Sequence, residues 1–244
     1  MSHTRVEESL VEATGFLNQV VERRERLIKE SRDVISLSSR TIVSVHNSDL
    51  RQARKFNAEA RRLLSNLRKV AGSDLVRYLT APEQEFVESS AMLWLKMNKE
   101  IPSRSSLNVL RSSYLLGLLD VIGEMKRSVY DSIRRGDMET AEQLFSNMES
   151  LFVLISPFAV YDNVVQGLRR KLDVARMLIE DTRATITEEA RRLEFMDSMN
   201  ALAKKLGRPA NNDVHEIPVH VTSDRELLES KHYKGESSDD SDEN

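Results

Sequence analysis

"YLLGLLDVIGEM", residues 114–125, is apolar except at Asp120 and Glu124, which are four residues apart. In an α-helix this spacing puts both acids on one face, so the other faces of the segment are almost wholly apolar. The stretch therefore predicts a helix that is buried on most sides. A buried carboxylate must be protonated, paired with a base or bound to a cation, which makes these two acids candidates for a functional site.

The rest of the chain also indicates an all-α fold. Glycine and proline are few, 8 and 5 in 244 residues, β-branched alternation is nearly absent, and 40% of the residues are hydrophobic. The breaks predict about six or seven helices, with long first and last helices and no sheet. The expected helices span about 5–46, 50–71, 80–100, 112–135, 137–155 and 161–206. Thr80-Ala81-Pro82-Glu83 is a capping-box pattern that opens the third helix.

Charge divides the chain into a body and a tail. Residues 208–244 carry ten acids and four bases, whereas residues 1–207 carry 29 acids and 32 bases. We expect a helical domain over residues 1–207 and an acidic disordered tail over residues 208–244. The tail is too polar and charged to offset the entropy of ordering it.

Several classes of protein are disfavoured. The absence of cysteine excludes disulfides, cysteine-bound zinc and thiol nucleophiles. No N-terminal signal pattern is visible and no apolar run approaches the roughly 20 residues of a membrane span, so we expect a soluble, cytoplasmic protein without a membrane partner. The histidines lie outside the two acidic helices, and each is expected to be a terminal, loop or tail residue: His3, His46, His215, His220 and His232.

A second acidic pair, Glu85 and Glu88, lies three residues apart in "QEFVESSAMLWLKMN", residues 84–98. Four carboxylates without sulfur suit a hard cation, with Mg²⁺ first and Mn²⁺ as the alternative. Gly117 and Gly123 would let a second helix or a substrate come close to the first pair. Two simpler interpretations remain open: a solvated face for the second pair, and interhelical salt bridges for the first.

Basic residues indicate a surface for nucleic acid. Three arginines recur every seven residues and share one helix face, which can follow a phosphate backbone: Arg169, Arg176 and Arg183. Arg77 followed by Tyr78 offers one charge and one stacking ring. The simpler alternative for the arginine stripe is a solvated face with ion pairs to nearby acids, namely Asp173, Glu180 and Asp181.

Four stretches together resemble the translin family, in the same order and at matching separations. They are "RRERLIKESRDVISLSSRTIVSVH", "EQEFVESSAMLWL", "SYLLGLLDVIGEMKRSVYDSIRRGD" and "GLRRKLDVARMLIEDTR", and the resemblance covers about residues 18–184. It is closer to translin-associated factor X, the nuclease-active branch, than to translin itself, because that branch carries an E-x-x-E helix and a D-x-x-x-E helix. Here those residues are Glu85, Glu88, Asp120 and Glu124.

The resemblance implies an all-α subunit that forms a closed octameric barrel and binds single-stranded or loosely structured RNA, with single-stranded DNA as a second ligand. It implies an endoribonuclease whose four acids hold Mg²⁺ and carry the catalysis. The compact connections favour a homo-oligomer, and a translin-like partner subunit is the alternative. The candidate phosphate contacts are Arg32, Arg77, Arg169, Lys171 and Arg176.

Two other functions remain open from the sequence. A noncatalytic scaffold for single-stranded RNA or DNA, as translin itself largely is, would bind tightly without turnover. An all-α nucleotide pyrophosphatase also holds Mg²⁺ with an E-x-x-E helix. Its second acidic pair is usually spaced by three residues rather than four, so it fits this sequence less well.

Overall fold

The structure, a computed structural model, describes residues 4–207. Within that range the chain forms seven α-helices and no β-strand, which confirms the all-α prediction. The helices are α1 (Thr4–His46), α2 (Leu50–Ala71), α3 (Thr80–Lys96), α4 (Arg104–Leu107), α5 (Arg111–Arg134), α6 (Met138–Ile155) and α7 (Leu168–Lys205). Short 3₁₀-helices, Val76–Leu79 and Ser156–Tyr161, precede α3 and follow α6.

The chain divides into two compact units, one ending at Glu194 and the other beginning at Phe195, so α7 contributes to both. The acidic tail expected over residues 208–244 lies outside the described residues, as do His3 and the three histidines of the tail.

Polar side chains and glycines define the helix ends. The carboxylates of Asp49 and Asp137 cap α2 and α6, each accepting a hydrogen bond from a backbone N–H three residues on, at 3.0 and 3.1 Å. Gly72 and Gly136 follow the ends of α2 and α5 with φ of 56° and 75°, a left-handed conformation that glycine adopts without steric cost. These breaks set the short connections of the first unit.

The capping box expected at the start of α3 was a wrong prediction. Glu83 is 1% exposed and accepts a hydrogen bond from the Arg68 guanidinium at 3.0 Å and another from the Leu110 backbone N–H at 2.8 Å. A buried carboxylate without a partner would be far more costly than an uncapped helix end. The glutamate therefore joins α2 and α3 instead of capping its own helix.

Two helix boundaries also differ from the sequence prediction. α3 ends at Lys96 rather than near residue 100, and α7 begins at Leu168 rather than near residue 161. The later start follows from the 3₁₀-helix Ser156–Tyr161 and from Gly167, whose φ of 82° interrupts the helical path.

The segment Met138–Tyr161 is long and apolar enough, by length and composition, to cross a membrane, with a mean hydropathy of 1.3. The expectation that no apolar run approaches this length was therefore wrong. Only 17% of the apolar window is buried, and Val153, Leu154 and Val160 are 67%, 71% and 75% exposed. Contiguous exposed apolar surface is typical of sites that contact another protein or a membrane.

α5 lies at the centre of the first unit. It packs against α3 on one side and α6 on another, while α1 packs against α2 and α3. Leu27, Phe86, Ile122 and Met125 are at most 1% exposed in the core that these helices share. The helix predicted from residues 114–125 is therefore buried on most sides, and only its acidic face is left open.

Candidate active site

Gly117 fixes the distance between the two acidic helices. A Cβ atom at this position would lie 2.8 Å from the backbone oxygen of Gln84 and 2.8 Å from Cβ of Val87. Real Cβ atoms do not approach backbone oxygens so closely, so only glycine permits this contact of α5 with α3. The close approach expected at Gly117 is confirmed, whereas Gly123 meets only Cδ1 of Leu178, at 3.9 Å.

The contact between α3 and α5 brings both acidic pairs into one cleft, which α7 closes on a third side. We call it the acidic cleft, and its charged lining residues are Glu85, Glu88, Asp120, Glu124, Arg170 and Lys171. All four acids are half-buried. The spacing along each helix thus places the acids on one face, and the glycine contact places the two faces together.

Asp120 is paired with a lysine from α7. The Lys171 ammonium donates to both carboxylate oxygens of Asp120, at 2.6 and 2.5 Å, and to the side-chain oxygen of Gln84 at 3.3 Å. The side chains of Asp120 and Lys171 are 32% and 31% exposed. Lys171 was predicted to contact phosphate, and the structure places it on a site carboxylate instead.

Glu124 is paired with a histidine from the end of α1. Nε2 of His46 lies 2.6 Å from a carboxylate oxygen of Glu124, and Nδ1 lies 3.9 Å from Asp131. The hydrogen bond with His46 lowers the pKa of the Glu124 carboxyl below its usual value. His46 is the last residue of α1, as the predicted helix end at residue 46 implied, but its contact with Glu124 was not predicted, and its side chain is 9% exposed. In the sequence, the only signal of a role for His46 was its place at the end of the first stretch that resembles the translin family.

The side chains of Glu85 and Glu88, both on α3, form no hydrogen bond or ion pair within residues 4–207. Burial, and then the negative charges of Asp120, Glu85 and Glu124, raise the pKa of Glu88 to about 8. Burial, and then the charge of Asp120, also raise the pKa of Glu85. At neutral pH Glu88 therefore holds a proton that a cation in the cleft would displace.

Glu88→Gln should change how stability depends on pH. Because the pKa of Glu88 is raised from 4.5 to about 8, the folded chain keeps a proton that the unfolded chain loses, and stability falls as pH rises between these values. Glutamine is neutral throughout, so the variant should match the native chain at pH 4.5 and exceed it at pH 9 by roughly 2 to 4 kcal/mol. Urea unfolding in EDTA at both pH values measures this.

The control for this experiment is Glu142→Gln, which alters an exposed carboxylate of α6. This variant should follow the pH dependence of the native chain. Identical pH dependence in the native chain and in Glu88→Gln would show that the proton on Glu88 does not affect folding.

The acidic cleft has the ligand chemistry for a divalent cation. No group of three or more histidine, aspartate and glutamate side chains in the described part of the chain already has its ligand atoms gathered around one point. Four carboxylates nevertheless line one cleft, and two of them have raised pKa values, which a divalent charge would reverse. In this structure the Asp120 carboxylate contacts the Lys171 ammonium.

The predicted phosphate contacts are dispersed. Arg32 and Arg169 are exposed on α1 and α7, and Arg176 is exposed beside Asp173, with the charged atoms 4.0 Å apart. Arg183, from the same stripe, is paired with Glu149 and Glu180, as the simpler interpretation of a solvated face proposes. The arginine stripe therefore offers Arg169 and Arg176 rather than a continuous row of available charges.

Arg77 belongs to a compact cluster with Tyr78 and Arg24. The Tyr78 hydroxyl accepts hydrogen bonds from Arg24 at 2.7 Å and from Arg77 at 3.3 Å, and both guanidinium groups lie over its ring, at 5.6 and 5.1 Å. Arg24, and then Arg77, lower the pKa of the tyrosine. The cluster combines positive charge with an aromatic ring at the start of the segment that leads into α3.

Comparison with known proteins assigns the chain to a family. Residues 22–182 match the sequence profile of the Translin family. The chain belongs to the translin family. An uncharacterized protein of Methanocaldococcus jannaschii, MJ0175, is 30% identical over 181 residues, which cover 72% of this chain and 80% of that protein. All four acids of the cleft lie within the matched range.

Solved structures share the translin fold. AfC3PO aligns with a TM-score of 0.69 at 26% identity over 75% of this chain and 98% of its own. A complex of AfC3PO with duplex RNA aligns with a TM-score of 0.68 at 25% identity over 75% and 97%, and apo-NeC3PO with 0.67 at 24% identity over 74% and 96%. About a quarter of the chain therefore has no counterpart in these structures.

Proposed function

We propose that this translin-family protein is a Mg²⁺-dependent endoribonuclease that binds and cleaves single-stranded or loosely structured RNA. One observation carries the proposal: α3 and α5 bring four carboxylates into a single cleft, and two of these have raised pKa values and no ion-pair partner in the described chain. Carboxylates that serve only stability are normally paired with bases.

The four acids would hold the ion, and the neighbouring bases would bind the RNA. Bound Mg²⁺ supplies a water of lowered pKa and neutralises charge on the phosphate during hydrolysis, so no side-chain nucleophile is needed. Because burial and neighbouring acids raise the pKa of Glu88 to about 8 in the ion-free cleft, Glu88 would give up its proton when the ion binds. Arg170 lines the cleft without an ion pair among the described residues, which suits it to bind a phosphate.

The cluster of Arg24, Arg77 and Tyr78 supports RNA binding outside the cleft. Arginines bind phosphates, and a tyrosine ring stacks on an unpaired base. The related AfC3PO has been solved with duplex RNA, so single-stranded and duplex RNA are both required as ligands in any test. An unpaired strand is the substrate we propose, because a base must be unstacked to reach an aromatic ring.

The protein is proposed to act as a homo-oligomer, and the resemblance to the translin family implies an octamer. The exposed apolar surface of α6 and the 3₁₀-helix after it, which includes Val153, Leu154 and Val160, supports self-association. A translin-like partner subunit is the alternative occupant of this surface.

A noncatalytic RNA-binding scaffold is the second candidate. It is favoured by the pairing of Asp120 with Lys171 and of Glu124 with His46, since these contacts satisfy two of the four acids without a metal ion. If the protein is such a scaffold, Asp120 and Glu124 serve only to hold α5 against α7 and α1.

Cleavage of labelled RNA by the purified native chain decides between the two functions. We expect a single-stranded RNA to be cut with Mg²⁺ and with Mn²⁺ and to remain intact in EDTA, because the carboxylates need a hard cation. A fully paired RNA of the same sequence should be cut more slowly. Light scattering on the same sample gives the oligomer mass. Tight RNA binding without cleavage under either metal would establish the scaffold.

A further inference from the structure

Lys171 contacts the carboxylate oxygens through which Asp120 would bind a divalent cation. Its ammonium donates to both oxygens of Asp120, at 2.6 and 2.5 Å. Among residues 4–207 no other ammonium or guanidinium lies within 3 Å of a cleft acid; the guanidinium of Arg127 is 3.9 Å from Glu124. The acidic cleft thus carries its own positive charge.

The ion pair between Lys171 and Asp120 can break and let each side chain take another partner. Both side chains are about a third exposed, so water can replace either partner at little cost, and the flexible lysine stem can swing away. The pair between Arg68 and Glu83 is the opposite case, because that glutamate is 1% exposed and separation would leave a buried charge. The ion pair between Lys171 and Asp120 can therefore separate at little cost, whereas the pair between Arg68 and Glu83 cannot.

We propose that Lys171 is an exchangeable internal cation: its ammonium neutralises Asp120 until a divalent cation takes that carboxylate, and it then binds the phosphate that is cleaved. This inference rests on the proposed function. It assigns Lys171 two successive partners of the same charge, a carboxylate and a phosphate. It also explains how four half-buried acids remain assembled on two helices before an ion binds, since Lys171 opposes their repulsion.

The first test is Mg²⁺ binding to the EDTA-stripped full chain, measured by calorimetry at pH 9 in the absence of RNA. Lys171→Met removes the competing ammonium, and we expect Mg²⁺ to bind about tenfold more tightly than to the native chain. Arg170→Met is the matched control, because it removes a positive charge from the same cleft without a contact to Asp120. A gain in Lys171→Met no larger than that in Arg170→Met would overturn the exchange.

The second test is RNA cleavage at saturating Mg²⁺. Lys171→Met should cleave roughly 10- to 100-fold more slowly despite its tighter ion binding, because it has lost a phosphate contact. A residue needed only for folding would weaken both properties together. An unchanged cleavage rate would overturn the phosphate role.

The native chain separates failure of this inference from failure of the proposed function. If the native chain neither binds Mg²⁺ nor cleaves RNA, the proposed nuclease falls and Lys171 is a structural partner of Asp120. If the native chain does both and Lys171→Met shows native Mg²⁺ affinity, only the exchange is wrong.

Discussion

Asp120→Asn and Glu88→Gln will each slow Mg²⁺-dependent RNA cleavage by roughly 10²- to 10³-fold while RNA affinity stays within about twofold of native. Both substitutions keep the size of the side chain and replace a carboxyl group that can bind a cation with a neutral amide. Asp120 comes from α5 and Glu88 from α3, so the pair tests whether both helices contribute to one site. Single-turnover cleavage at saturating Mg²⁺ gives the rate, and filter binding in EDTA gives the affinity.

The matched control is again Glu142→Gln, which should cleave RNA at the native rate because its carboxylate is exposed on α6, outside the cleft. Equal light-scattering masses show that each variant assembles normally. Native cleavage rates in Asp120→Asn and Glu88→Gln would mean that the acids are structural. Loss of RNA affinity in step with cleavage would point to a damaged fold or assembly rather than a damaged active site.

Glu88 connects the stability of the fold to its chemistry. Its substitution by glutamine is expected to stabilise the folded chain at pH 9, where the native carboxylate is ionised among other acids. The same substitution is expected to slow cleavage. A residue that costs stability and supports activity is typical of a functional site rather than of a core.

The sequence was sufficient to predict the acidic helices because the relevant information is local. Spacings of three and four residues place acids on one face of a helix whatever the helix packs against, so Glu85 and Glu88, and likewise Asp120 and Glu124, form pairs. The apolar residues around Asp120 and Glu124 also predicted that α5 is buried. Gly117 gave the further hint that another helix comes close.

The partners of the acids were missed because they are set by tertiary structure. His46 is 78 residues from Glu124, and Lys171 is 51 residues from Asp120, so no spacing rule connects them. The capping-box prediction for Glu83 failed for the same reason: a local pattern gave way to a contact with Arg68, 15 residues away. A sequence reports which side chains share a helix face, and packing decides which side chains face each other.

Gly117→Ala should destabilise the protein and weaken Mg²⁺ binding together. The added Cβ would lie 2.8 Å from the backbone oxygen of Gln84 and from Cβ of Val87, and backbone cannot move aside as a flexible side chain can. α3 and α5 must separate, at a cost of about 1 to 3 kcal/mol. Glu85 and Glu88 then move away from the acids of α5. Thermal unfolding followed by circular dichroism, and Mg²⁺ calorimetry, measure the two effects.

Gly123→Ala on the same helix is the matched comparison, and the opposite sign is expected for stability. Its added Cβ meets only Cδ1 of Leu178, at 3.9 Å, an ordinary contact. Alanine is favoured over glycine within a helix by about 1 kcal/mol, so this variant should unfold at a slightly higher temperature than the native chain. If the two alanine variants shift the unfolding temperature in the same direction, the close contact at Gly117 does not determine the spacing of the acidic helices. Gly117→Ala could instead lose stability and keep native Mg²⁺ affinity. That result would show that ion binding draws the acids together even when the helices are further apart without the ion.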